Sequence, residues 1–227
     1  MRNAIAVASV LALVLVYVAS AQSVASLDLL RRAADPNPGL NSYTADAHLS
    51  ATLHILAPIH REYDGKVYYL KPKRKIEFTN VTGSFARFKD LVTSTPSYDE
   101  AMQQYTIAPQ GDDGKSSTYV LAPKNTGSRV KNVTLQVDDS NALIDRATWA
   151  YNNGGTLSFA ERYEDVGAYH LPGSADIEAR FPGYSVDGTI TFAAYAPNEP
   201  VSPTVFASPK SSPPHYRDRR WVAFALQ

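Results

Sequence analysis

The chain of 227 residues contains no cysteine. No disulfide can staple it, and no thiol can act as nucleophile or metal ligand. Charge of either sign is not in excess, since 22 Lys and Arg meet 22 Asp and Glu. That balance leaves no net field to steer nucleic acid or an acidic substrate, and no nucleic-acid partner is expected. The 5 histidines, His48, His54, His60, His170 and His215, show no His-x-His, His-x-x-x-His or His-Glu-x-x-His spacing. His48 and His54 share one strand face, but their spacing puts them about 20 Å apart at strand rise. No metal and no other cofactor is expected. Gly-x-Ser-x-Gly is missing as well. The acidic pairs Asp112-Asp113 and Asp138-Asp139 fall in turns between strands, and Glu161/Glu164 shows no base or nucleophile beside it. The expectation is therefore a protein that is not an enzyme.

What is present begins at the N-terminus. Met1 and Arg2 precede an uncharged apolar run from Ala4 to Ala19, and Ala19-Ser20-Ala21 supplies small residues before the polar Gln22. This order reads as a secretory signal peptide, residues 1–21, cut after Ala21. An uncleaved anchor is the competing reading, although the run is short for a membrane span of about 20 residues. Export to the periplasm follows from the first reading. With no cysteine after the signal to carry a lipid, the mature chain is expected to be soluble, a monomer, and stabilised by a packed core.

The body of the chain is β-patterned. Tyr43, Ala45, Ala47, Leu49, Ala51, Leu53 and Ile55 alternate with Thr44, Asp46, His48, Ser50, Thr52 and His54. Such period-two alternation predicts a long strand with one apolar and one wet face. Further strands are predicted at 63–70, 74–79, 105–108, 118–122, 130–137, 143–151, 156–163, 168–171, 177–181 and 184–195. Lys71-Pro72 and Asn152-Asn153-Gly154-Gly155 provide hairpin turns. Returning through short turns, these strands form an antiparallel meander. Val24, Leu27, Leu30 and Ala34 recur at helical spacing and stop at Pro36. A helix that short cannot stand alone in water and has to lie on something apolar. Phe85, Phe88, Leu91 and Val92 also have approximate helical spacing, and 98–104 suggests another helical turn, so 80–104 reads as a helix-containing insertion. From Val201 onward, Pro203, Pro209, Pro213 and Pro214 argue against regular structure. The basic tail ends in the apolar stub 221–226, read either as a disordered terminus or as a membrane-touching or partner-docking segment.

A long apolar sheet face admits two readings, a core covered by helices or a cavity for an apolar guest. The small residues Ala45, Ala47 and Ala51 on that face suit a guest or a closely approaching helix equally.

The order and spacing of these stretches resemble the periplasmic lipoprotein carrier (LolA-like) superfamily. The carrying stretches are the post-signal helix with LNSYTADAHLSATL, then GKVYYLKPKRKIEF, QQYTIAPQGDDGKSSTYVLAPK, VKNVTLQVDDSNALIDRATWAYNNGG and a closing YAPNEPVSPTVF. The resemblance implies an α+β fold in which an unclosed, strongly curved antiparallel half-barrel has helices over its concave face. The carrier domain spans 22–206 and the tail 207–227. It also implies carriage of the acyl chains of a lipid or acylated protein, between membrane-bound donor and acceptor proteins. Candidate cavity-lining residues are Leu27, Leu30, Ala47, Leu49, Leu53, Val67, Tyr69, Phe78, Leu121, Leu135, Trp149 and Phe159. Lys71 stands where the family has a lid-bonding basic residue, usually Arg, before the proline, and so implies a lid contact here. A turn of the DGxxxW/Y type found in that family is replaced by 80–100. The alternative function is a non-enzymatic envelope sensor or protein-interaction module on the same fold. An envelope hydrolase, a third class, needs a convergent acid–base pair that the sequence does not show.

Overall fold

The alternation from Tyr43 becomes strand β1, Ser42–His54, in the computed structural model, which describes residues 27–81, 90–94 and 96–207, with backbone alone at 90–94. Tyr43, Ala45 and Ala47 turn inward and are buried, while Asp46 and His48 face water. Ile55 departs from expectation: it lies past the strand end and is 58% exposed. Strands β2 (Pro58–Leu70) and β3 (Lys73–Phe78) follow, joined across Lys71-Pro72, whose peptide is cis. Gly65 of β2 is required by packing, since a Cβ there meets Glu77 O at 2.8 Å and Phe78 Cδ1 at 2.9 Å.

Next come β4 (Asp90–Ser94), helix α2 (Tyr98–Gln104) and β5 (Tyr105–Asp112). Leu91 and Val92 are therefore strand residues and not helical ones; β4 pairs with β3 through Leu91↔Ile76 and Val92↔Lys75. Phe85 and Phe88 lie outside the described residues, as do the signal segment 1–21, Val24 and the tail 208–227. A capping box starts α2, with Ser97 accepting from Glu100 N and Glu100 accepting from Ser97 N. The remaining strands are β6 (Ser116–Pro123), β7 (Val130–Asp138), β8 (Ile144–Tyr151), β9 (Thr156–Val166), β10 (Tyr169–Phe181) and β11 (Tyr184–Pro197).

Three boundaries correct the sequence reading, and the first is that β2 begins at Pro58 and not at 63, because 58–62 pair with 50–54 of β1. The separate strands at 168–171 and 177–181 are one strand, because the register shift between Pro172 and Ser174 accommodates Gly173 as a bulge without ending the pairing with β9. The strand at 105–108 runs on to Asp112, because β5 is an edge strand and tolerates Pro109. Pro203, read as a breaker, instead opens a 3-10 turn, Pro203–Phe206, capped by Ser202.

All pairings are antiparallel, and the 11-stranded sheet runs β4-β3-β2-β1-β11-β10-β9-β8-β7-β6-β5. β1 meets β11 in the middle, so the two ends of the described chain are zipped together there. β4 and β5 are consecutive in sequence yet form opposite edges. The strongly curled sheet is thus left unclosed, with α2 between its two edges in sequence. The first helix, α1, covers residues 27–33 and buries Leu29, Leu30 and Ala33. Its apolar stripe packs with Tyr43, Val67, Phe78, Tyr119, Trp149 and Phe159 in one core cluster. No helix of the described residues is long and apolar enough to cross a membrane.

Candidate functional site: an apolar cavity beneath two short helices

Inward-facing residues on four neighbouring strands form the floor of a cavity of about 120 Å³, at i, i+2 spacing except where a register shift against β7 brings in Ile144, three residues before Ala147. β5 contributes Tyr105 and Ile107, β6 Leu121, β7 Val133 and Leu135, and β8 Ile144, Ala147 and Trp149. Leu30, Ala33 and Ala34 from the α1 segment, with Pro96, Tyr98 and Ala101 from the α2 segment, form the roof. Burial in this setting raises the Tyr105 hydroxyl above the usual tyrosine range. Trp149 meets Phe159 edge-on at 5.9 Å, and its indole Nε1 is buried with no hydrogen-bond partner among the described residues.

The roof is held by polar contacts. The Arg31 guanidinium lies 4.9 Å from the centre of the Tyr98 ring, joining α1 to α2. Lys71 Nζ donates to Asp35 Oδ2 at 2.6 Å, tying the β2–β3 turn to the segment just after α1. Each helix is only two turns long, and α2 buries no residue completely. Neither helix is stable without the sheet beneath it.

Of the residues singled out from sequence, Leu30, Leu121, Leu135 and Trp149 come together around the cavity. Phe159 supports Trp149 from the core. Ala47, Val67 and Phe78 are buried on β1 to β3 and do not border the cavity. Tyr69 is half-buried and stacks on Tyr43 at 4.9 Å. Leu27, Leu49 and Leu53 are half-buried, and none of them borders the cavity. Sequence reasoning did not single out Ile107, Val133 and Ala147, although strand parity with Tyr105, Leu135 and Trp149 marks them. Nothing in the sequence reveals that this half is left partly empty, because that depends on how far α1 and α2 stand off the sheet.

A second interior feature also escaped the sequence reading. Arg74 shares its face with Ile76 and Phe78, and Glu161 shares its face with Phe159. The Arg74 guanidinium hydrogen-bonds Tyr43 and is drawn towards Glu161. Tyr163 Oη donates to Glu161 Oε2 at 2.6 Å. Burial pushes the Glu161 carboxyl up, with Arg74 and then the Tyr163 hydrogen bond opposing it. Four of the histidines are spread over the surface, each with its own carboxylate: His48 with Asp64, His54 with Asp187, His60 with Glu62 and His170 with Asp165. Among the described residues, no group of three or more acidic or histidine side chains is placed to hold a metal.

No sequence-family model matches the chain, and no curated protein matches it. Solved structures do. A domain from Vibrio parahaemolyticus, described as an outer membrane lipoprotein-sorting protein domain, superposes with a TM-score of 0.55 at 9% identity, over 78% of this chain and 94% of that one. A DUF1329 family protein from Desulfovibrio piger gives 0.49 at 12% identity, over 81% and 96%. A LolA superfamily protein from Nitrosomonas europaea gives 0.46 at 10% identity, over 80% and 96%. At such identities the likeness speaks for the fold alone. The chain shares the fold of the Vibrio parahaemolyticus domain, an unclosed curled sheet with few helices.

Proposed function

We propose that this protein is a periplasmic carrier that holds the acyl chains of a lipid or an acylated protein in the cavity beneath α1 and α2. The observation that carries this reading is the apolar floor of β5 to β8 roofed by two short helices. Each methylene removed from water into such a site contributes about 0.8 kcal/mol. The present volume of about 120 Å³ holds only a short stretch of chain, so loading a whole acyl chain requires the roof to lift. Two polar latches over a greasy floor suit a roof that opens and recloses. The apolar leader at 1–21 supports export, and membrane-bound donor and acceptor proteins are the partners such a carrier needs.

Displacement of a fluorescent fatty acid tests the site. Ala101→Trp fills the cavity from α2 and weakens probe binding about tenfold, the equivalent of ~1.4 kcal/mol of crowding. Unchanged affinity in that variant removes the cavity from the account.

The burial of Ala47, Val67 and Phe78, candidate lining residues that do not border the cavity, favours one second reading, a sensor or interaction module on the same fold. Such a module binds a protein partner and leaves Ala101→Trp without effect on that binding.

A further inference from the structure

All five large hydrophobic side chains that the described residues leave exposed, Ile55, Leu56, Ile59, Met102 and Tyr184, lie at one end of the sheet. The register shows why. His54 pairs with both Pro58 and Ser185, so the β1–β2 tip at 55–57 sits beside the β10–β11 tip at 182–183. Gly183 makes that second tip possible, with φ at 92°. Tyr151 touches Phe181 at 5.3 Å, which brings in the β8–β9 tip at 152–155. Asn152 N donates to Arg129 O, which brings in the β6–β7 tip at 124–129. Lys124 Nζ donates to Met102 O at 2.7 Å, which places Met102 at the same end.

Charge is divided along the same axis in a chain with no net charge. None of these four tips contains an acidic residue, while Lys124 and Arg129 stand on one of them. Of the acids behind the tips, Asp187 is engaged by Arg180 and His54, Glu178 lies 3.9 Å from Arg180, Glu62 is engaged by His60, and Asp99 and Glu100 stand in the first turn of α2, where Glu100 accepts from Ser97 N. The opposite end carries Asp112, Asp113, Asp138, Asp139 and Asp165 against Lys71, Lys73 and Lys115.

We propose that this end, apolar and with no acidic residue on its four tips, docks on an anionic phospholipid surface. Leu56, fully exposed at a hairpin apex, enters the acyl boundary together with Ile55, and Tyr184 lies at headgroup level. Lys124 and the exposed Arg61 meet lipid phosphates, each basic residue near the surface adding attraction. The acidic end is turned away from the like-charged surface. A bilayer fits this end better than a second folded protein. The apolar side chains are divided among the β1–β2 hairpin, the β10–β11 tip and α2 and do not form the single packed centre of a protein interface.

The test is co-sedimentation of the purified protein with vesicles of phosphatidylethanolamine and phosphatidylglycerol, against vesicles of phosphatidylcholine alone. The expected result is binding to the anionic vesicles that weakens as salt rises, with little binding to the neutral ones. Leu56→Asp weakens that binding by about tenfold or more, the scale of losing one buried leucine, and Arg61→Gln weakens it less. Absence of vesicle binding, or binding that Leu56→Asp leaves unchanged, overturns the proposal. So does a concentration-dependent dimer that Leu56→Asp abolishes in a protein that ignores vesicles, because the patch then belongs to a second copy. Leu56 lies outside the cavity, so lipid retained in Leu56→Asp protein shows that a failure here leaves the carrier reading intact.

Discussion

Lys71 and Asp35 lie 36 positions apart in sequence and meet as an ion pair, Nζ to Oδ2 at 2.6 Å. Strand parity aims Lys71 to the same side as Val67 and Tyr69, and Asp35 follows directly on α1. Both side chains remain partly exposed, at 36% and 47%, so the pair contributes no more than about 1 kcal/mol. That is enough to bias a roof without fixing it. Lys71→Leu is expected to speed release of a bound fatty-acid probe two- to fivefold, the rate equivalent of about 0.4–1 kcal/mol. Stopped-flow release measures it, and the urea midpoint is expected to stay nearly constant. An unchanged release rate reduces Lys71 to a surface lysine beside a turn proline.

The Arg31–Tyr98 contact is the second latch. Its loss removes about 0.5–1 kcal/mol from the contact between α1 and α2. Tyr98→Ala is expected to accelerate amide exchange across 27–33 and 98–104 while the strands keep their protection. Equal protection in both proteins means that the helices are held by the sheet alone.

Trp149 separates size from polarity. Its indole N–H has no partner among the described residues, so Trp149→Phe gives up no hydrogen bond to them and is expected to change stability by less than about 1.5 kcal/mol. Trp149→Ala empties the space against Phe159 and is expected to destabilise by about 3–5 kcal/mol. Urea denaturation of both variants checks the pair of values. A large loss in Trp149→Phe reveals an acceptor that the N–H does reach.

Two carboxylates give opposite pH signatures. The Ser140 hydroxyl, followed by backbone N–H groups, holds Asp138 below the usual aspartate range, so its folded pKa lies under its unfolded one. Its stabilising contribution is present above the ordinary value of 3.8 and fades as pH falls through the folded pKa. Asp138→Asn is therefore expected to lower stability at neutral pH and to match the parent in acid. Glu161 is raised from 4.5 by burial, so its proton favours the folded state, and stability from this group declines as pH climbs from 4.5 towards the folded pKa. Stability curves across the acidic range, with Glu161→Gln flattening that decline, test the assignment.

Much of the architecture is legible in the sequence because the sheet has one wet face. Tyr43 to Leu53 alternate without a break, so the strand, its inward face and the hairpin at Lys71-Pro72 can all be read from residue order. The misreadings fall where local and long-range forces disagree. Leu91 and Val92 have helical spacing, but the open edge of β3 supplies ladder partners that a window of sequence cannot show. Pro172-Gly173 looks like a break because only the pairing with β9 makes it a bulge. At the site, Leu121, Leu135 and Trp149 could be chosen by apolar character and parity. Their grouping apart from Val67 and Phe78 depends on sheet curl and helix placement, which involve contacts far apart in the chain. Arg74 was detectable in principle as a cation in phase with Ile76 and Phe78.

The claim at the centre of this account is that the cavity under α1 and α2 carries acyl chains. Native mass spectrometry of the protein purified from bacteria without detergent, followed by solvent extraction and lipid analysis, tests it most directly. The account predicts a discrete adduct whose mass matches an acylated lipid or an acylated peptide, reduced in Ala101→Trp protein. A bare protein mass after expression and after incubation with phospholipids and fatty acids, in protein that is folded by circular dichroism, contradicts it.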